Sequence, residues 1–329
     1  MSSSPIPISL LRYLIVWRVN SSLVSLPPCL PLELSLVIGT IIANRLATNE
    51  ASPWRKALAP LAEYYAEISA KDQKNVKPFP PAAWPIEAVL LPYPTKRILG
   101  QGELIFWELK LLGDSADHGL FLELILPAME EAGYTADTQW NRHNRLWGHF
   151  EVNAVYVAKG AQWEPLVTDG RLNLRYRPTP IQWAEGLSFT PKKQHAFSRL
   201  NWLTTFDLGE RMTSANSSDN ASETLQVIFE ALVLRAIRLT PGRHKSHEGV
   251  MAILNAEEQT ALRHAMEEAA RVQLLQKNLH PAPSNWPGAW SGTQMYAPIP
   301  TAIIPYLELA SILHLGKQTH FGCGTFRLS

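Results

Sequence analysis

The sequence predicts an α+β fold, and three observations carry that prediction. The chain has 329 residues, 46% of them apolar and only 18% charged. That is enough apolar material for two cores of ordinary domain size and too little charge for a disordered chain. Its first half runs strand, helix, inserted stretch, strand, helix, strand, an order compatible with a ferredoxin-like split unit. Its last stretch, 307–329, passes from an apolar helical segment through a loop punctuated by Gly316, Gly322 and Gly324 into a short strand.

Residues 10–19, LLRYLIVWRV, are β-branched and aromatic and predict a central strand. Past the proline turn at 27–31, residues 32–47 predict a helix interrupted at Gly39, and 54–69 a second, amphipathic helix. Residues 71–94 are polar and then proline-rich, hence extended. Residues 103–113 predict a strand. A helix follows at 119–133, with Leu120, Phe121, Leu124, Ile125, Ala128 and Met129 on one face and Gly133 as its stop. Residues 149–158 alternate cleanly and predict a strand. Residues 165–180 read as a linker with a strand-like piece at 171–177, and a strand at 185–190 opens the second half. The small polar run 214–224 reads as an insertion. Helices are expected at 225–239, 256–277 and 305–315, with loop or edge strand at 281–300. No short-period repeat is present.

The glycines of the final loop permit positive φ and close backbone approach. Their exposed N–H groups would form an anion cradle. Lys317, His320 and Phe321 add cations and a stacking ring, which points to a phosphodiester backbone as the anion. On glycine spacing alone, a hairpin that closes a sheet is the simpler reading. The loop is not a P-loop or a dinucleotide fingerprint, because no helix follows its glycines.

The full string LHLGKQTHFGCGTF is more specific. It resembles the C-terminal glycine-rich signature of the CRISPR repeat-processing endoribonucleases, a branch of the RAMP superfamily. His314, Gly316, Lys317, Thr319, Phe321, Gly322, Gly324 and Phe326 stand where that signature expects them, while Cys323 and His320 depart from it. A fainter likeness covers Leu90 to Pro94 and Gly102 to Gly113, so the resemblance spans roughly residues 85–157 and 222–329.

That resemblance implies two tandem ferredoxin-like (RRM-like) domains, here 1–160 and 161–329, the second ending in the glycine-rich loop. It implies an RNA-binding protein that cleaves precursor CRISPR RNA at the repeat, without a metal or other cofactor, leaving a 2′,3′-cyclic phosphate. The implied partners are CRISPR repeat RNA, mature CRISPR RNA and other effector subunits. In the family the proton-transfer group is often a histidine on or near the first helix. This sequence has no histidine before His118. The alternative is therefore a non-catalytic RAMP subunit that binds CRISPR RNA within an effector complex.

Metal-free RNA cleavage needs a base, an acid and a cation for the phosphorane, roles suited to His and to Lys or Arg. The densest replacement cluster is 140–149, WNRHNRLWGH. His143 and His149 are its catalytic candidates. Arg142 and Arg145 join Gly316, Lys317, His320, Gly322 and Gly324 as RNA-binding candidates, since arginines among aromatics suit single-stranded RNA. A solvated hairpin with its tryptophans in the core reads equally well. A second basic cluster holds Arg235, Arg238, Arg243, His244, Lys245 and His247, for which a helix C-terminus that favours cations is the simpler account.

Net charge is +1, so any basic surface must be local. The two cysteines, Cys29 and Cys323, exclude a cysteine zinc site and suggest a reducing compartment. No run of about 18 apolar residues or secretory leader is seen, so a cytoplasmic protein with no membrane partner is expected. The 11 tryptophans suit cores, interfaces and base stacking alike.

Overall fold

Both halves of the chain build the same strand order from different sequences. The computed structural model describes residues 4–69, 79–80, 84–93, 96–135, 146–189, 197–209, 224–241, 246–283 and 286–329. Its contacts divide into a first unit, Ser9–Trp183, and a second, Ala184–Ser329 with Met1–Ile8. Residue 160 lies in the turn between two paired strands, so residues 161–183 gather with the first unit.

The first unit opens with β1 (Leu10–Val19) and a short β2 (Leu23–Ser25), then α1 (Leu30–Arg45) and α2 (Thr48–Ser69). Next come β3 (Ala88–Pro92), β4 (Ile98–Gly100) and β5 (Leu104–Leu112). A continuous helical stretch follows as α3 (His118–Leu120), a π turn (Phe121–Ile125) and α4 (Leu126–Tyr134). The unit closes with β6 (Phe150–Lys159), β7 (Gln162–Thr168) and β8 (Arg171–Leu172). The sheet order is β3-β5-β1-β6-β7-β8, antiparallel throughout, while β2 and β4 form a separate ribbon.

Alternation along β1 turns Tyr13, Ile15, Trp17 and Val19 into the core, each at most 1% exposed. Trp17 stacks on Phe150 at 3.9 Å and meets Trp107 and Trp147 edge-on at 5.3 and 6.0 Å. Among the described residues the buried indole N–H groups of Trp17, Trp107 and Trp147 have no acceptor. The question of what the tryptophans do is thus settled for these, and for Trp54, Trp84 and Trp183, by burial. They are core.

Two glycines act through closeness rather than by ending helices. Gly39 sits inside an unbroken α1, where a Cβ would lie 2.9 Å from the Trp84 indole nitrogen and 3.0 Å from Leu58. Gly133 sits within α4, and a Cβ there would lie 2.5 Å from the Phe150 carbonyl oxygen, so it lets α4 pack backbone to backbone on β6.

The second unit contains β9 (Arg199–Trp202), α5 (Gln226–Leu239), α6 (His247–Ala252), α7 (Ala256–Arg271), β10 (Leu274–Pro281), β11 (Trp290–Tyr296), α8 (Ile304–Leu313) and β12 (Phe326–Leu328). Its sheet order is β10-β11-β9-β12, again antiparallel. Taken by rank along the chain, both units place the first strand between the third and the fourth, with the second outside the third.

Three expectations are corrected here. The helix expected at 256–277 stops at Arg271, and the chain enters β10. Both ends of α7 have local reasons: an Asn255/Glu258 capping box starts it, and Val272 is extended, with φ −79° and ψ 104°. The strand expected at 185–190 is a turn at Gly186, and the first strand of the second unit is β9. The strand-like piece at 171–177 pairs only at Arg171–Leu172. The 214–224 insertion lies outside the described residues but for Thr224, which bridges Gln273.

Candidate functional site

The glycine-rich loop begins where α8 ends. His314 takes φ 61° and is fully buried. Its Nδ1 lies 3.1 and 3.0 Å from the carbonyl oxygens of Gly322 and Cys323. Carbonyls only accept, so Nδ1 carries the proton and the ring ties the two ends of the loop together. Leu315 N–H donates to the Gly324 carbonyl at 2.9 Å. A Cβ on Gly324 (φ +86°) would lie 1.9 Å from the Leu315 oxygen, and one on Gly316 (φ +88°) would lie 2.2 Å from the Asp207 oxygen. Only glycine fits either place.

Four of the loop amides are engaged within the protein and so are not offered to an anion. Lys317 N–H donates to Asp207 O at 2.8 Å, Phe321 to Gln318 at 3.0 Å, Gly322 to Thr319 at 2.9 Å and Gly324 to Thr205 at 2.9 Å. Two of these bonds close a turn at Thr319–Phe321, and the other two tie the loop to Asp207 and Thr205; Gln318 Oε1 also accepts from Gly288 N–H at 2.5 Å, and Thr205 Oγ1 donates to Pro287 O at 2.6 Å. His320 is 5% exposed and edge-on to Phe321. Of the five loop residues singled out from sequence, Lys317 alone turns a charged side chain outward. Its Nζ is 3.5 Å from Asp207 Oδ2, a solvent-screened pair worth about 1 kcal/mol or less. Burial pushes the Cys323 thiol up to about 12, which removes it as a nucleophile.

His149 lies in the first unit, in the turn that feeds β6. Its backbone is held on both sides: its N–H donates to Leu146 O at 2.9 Å, and its carbonyl accepts from Asn20 N–H at 3.1 Å. Ser21 Oγ is 2.7 Å from His149 Nδ1 and 3.4 Å from Asn20 Oδ1. If the single hydroxyl proton goes to Asn20, Nδ1 donates to Ser21 and Nε2 is left as a lone pair; if it goes to the ring, Nε2 carries the proton. Among the described residues Nε2 has no partner in either case. A ring oriented through one nitrogen, with the other half-exposed, is the arrangement proton transfer needs. Nearby, Arg18 donates to Glu151 at 3.2 Å and to Asn153, so its charge is already engaged. His143, Arg142 and Arg145 lie outside the described residues.

Two further groups are tied into the fold. His118 has Nδ1 3.1 Å from the buried Tyr13 hydroxyl, and Tyr13 stacks on Phe121 at 3.9 Å. Burial holds the His118 pKa down, against Asp117, and drives the Tyr13 hydroxyl well above its usual range. The signal was present in β1, whose alternation puts Tyr13 on the helix-covered face. Arg235 is no surface cation: it is 4% exposed, and its Nε donates to Leu313 O at 3.2 Å, capping the C-terminus of α8. Arg243, His244 and Lys245 lie outside the described residues.

A buried charge network sits on β1 and β5. Arg12 Nε is 2.6 Å from Glu108 Oε1, and the Tyr93 hydroxyl donates to Glu108 Oε2 at 3.0 Å. Burial alone would raise the Glu108 carboxyl, but Arg12 and Lys110 hold it at about 2. Among the described residues no cluster of three His, Cys, Asp or Glu side chains could hold a metal, and no helix is long and apolar enough to cross a membrane.

With this geometry in place, the chain can be set beside known proteins. Its likenesses are to Cas6 structures. A Cas6 product complex matches at 12% identity and TM-score 0.41 over 97% of this chain and 99% of that one. Cas6 of Thermus thermophilus matches at 13% and 0.41 over 98% and 99%, and a partial Cas6-RT-Cas1–Cas2 complex at 10% and 0.46 over 99% and 47%. No protein-family model and no curated protein matches the sequence.

Proposed function

We propose that this chain binds the repeat of precursor CRISPR RNA and cuts it by metal-independent transesterification. The carrying observation is the string from His314 to Phe326, which resembles the RAMP repeat-processing signature except at His320 and Cys323. The strand order shared by the two units agrees with tandem ferredoxin-like domains. In the proposed step, His149 Nε2 takes the proton from a 2′-hydroxyl as its oxygen attacks the adjacent phosphorus. The 5′-oxygen leaves with a proton from a second group, for which His143 is the candidate. The products are a 2′,3′-cyclic phosphate and a 5′-hydroxyl. Lys317, with Arg142 and Arg145, would meet phosphates, while Gly316, Gly322, Gly324 and His320 shape the loop that carries Lys317. The setting would be the cytoplasm, beside other CRISPR effector subunits.

The test is incubation with labelled repeat RNA in EDTA, read on a denaturing gel beside a binding shift. One cut with a cyclic phosphate end is expected. The second reading is a non-catalytic subunit that holds CRISPR RNA, favoured by one observation: neither α1 nor any residue before His118 supplies an imidazole. Salt-sensitive binding with no cut would select it.

A further inference from the structure

The free edge of the second sheet borders a cavity that the glycine-rich loop does not use. Its volume is about 360 Å³, the size range of small-molecule sites, and it is lined by α8, β12 and the segments at 187–189 and 197. The walls are apolar and aromatic, chiefly Phe189, Phe197 and Phe326. Two charged side chains reach it, Glu308 from α8 and Arg327 from β12. They make no ion pair with each other, and among the described residues neither has a hydrogen-bond partner. Desolvation raises the Glu308 carboxyl above its usual value, so an acceptor stands half-buried beside aromatic rings with nothing donating to it.

The backbone adds a second polar pair. Arg199 and Ser329 exchange both of their hydrogen bonds, Leu203 N–H donates to Thr325 O, and Arg327 stands opposite Asn201. Alternation in an antiparallel ladder then turns the N–H and C=O of Leu328 to the free edge, beside the cavity that Leu328 lines. Among the described residues they too are unpaired.

We infer that this cavity holds one unstacked RNA base that carries an exocyclic amino group. The base packs against the apolar wall, Glu308 and the Leu328 carbonyl accept from the amino edge, and Leu328 N–H donates to a ring nitrogen or O6. Arg327 at the rim meets the flanking phosphate. Aromatic stacking with Watson–Crick-edge hydrogen bonds is how single-stranded RNA is read. Cytosine, adenine and guanine offer the carboxylate an exocyclic amino donor, which uracil lacks. The inference rests on reading the chain as an RNA binder, and it adds a base preference to that reading.

The experiment uses the full chain with labelled rC8, rA8 and rU8 and the CRISPR repeat RNA, by fluorescence anisotropy at several salt concentrations. Wild type should bind rC8 and rA8 about tenfold more tightly than rU8, the discrimination of one well-formed base contact. Glu308→Gln, nearly isosteric and checked by its melting temperature, should level that preference. Arg327→Gln should weaken all oligonucleotides alike and lower the salt slope by about one. Equal wild-type affinities, or an unchanged preference in Glu308→Gln, would overturn the pocket while leaving RNA binding intact. No binding of any RNA by wild type would overturn the RNA reading and the pocket with it.

Discussion

The glycine-rich loop and the Ser21–His149 corner look alike in sequence and are opposites in structure. Both combine histidine, glycine and cations in about a dozen residues. In the loop, His314 and four amides are bound within the protein, and Gly316 and Gly324 allow contacts that no side chain would permit. At the corner, the imidazole is oriented through one nitrogen and, among the described residues, has no partner at the other. A dense motif therefore marks what the fold requires, while the proposed chemistry falls to a pair drawn from two turns far apart in sequence.

Substitutions can break that contrast, beginning with the largest effect. Gly324→Ala puts a Cβ into the Leu315 carbonyl at φ +86° and should cost on the order of 3 kcal/mol or more. Chemical denaturation would show it, with RNA binding lost only as far as folding is. Glu108→Gln, which strands the Arg12 charge, should cost about 3–5 kcal/mol in the same assay. The linkage has a definite sign. The Glu108 carboxyl is depressed to about 2, so its contribution is full above the unfolded value near 4.3 and is lost as pH falls from there through about 2. Acid titration of wild type against Glu108→Gln should show the two curves converging in that window. Ser21→Ala frees the ring of His149 and should slow cleavage about tenfold with little change in binding, as measured by single-turnover kinetics. Lys317→Ala should be mildest, lowering the salt slope of RNA binding by about one and leaving stability within about 1 kcal/mol.

The same contrast shows how much was legible. The run 10–19 announced β1 because its aromatic and β-branched residues sit on both faces of a central strand, and the helix ending at His314 was readable from its apolar length. Leu274–Pro281 was not, since β10 is an edge strand that is buried on neither face, and LLQKN favours helix as readily as strand. Gly39 and Gly133 read as breaks because sequence shows a missing side chain and not the Trp84 ring or the Phe150 carbonyl that needs the space. Two of the engaged loop amides depend on Asp207 and Thr205, more than 100 residues upstream in sequence. Ser21 and His149 come from turns far apart in sequence, and nothing local to either names the other.

The most direct measurement is the single-turnover cleavage rate of repeat RNA in EDTA, for wild type and His149→Ala, with binding followed in parallel. The account predicts one cut by wild type and a rate lower by about 10²–10⁴-fold in the variant, the usual contribution of a general acid or base, at unchanged affinity. A variant that cuts as fast as wild type would contradict the role given to His149. A wild type that binds but never cuts would leave the chain a holder of CRISPR RNA.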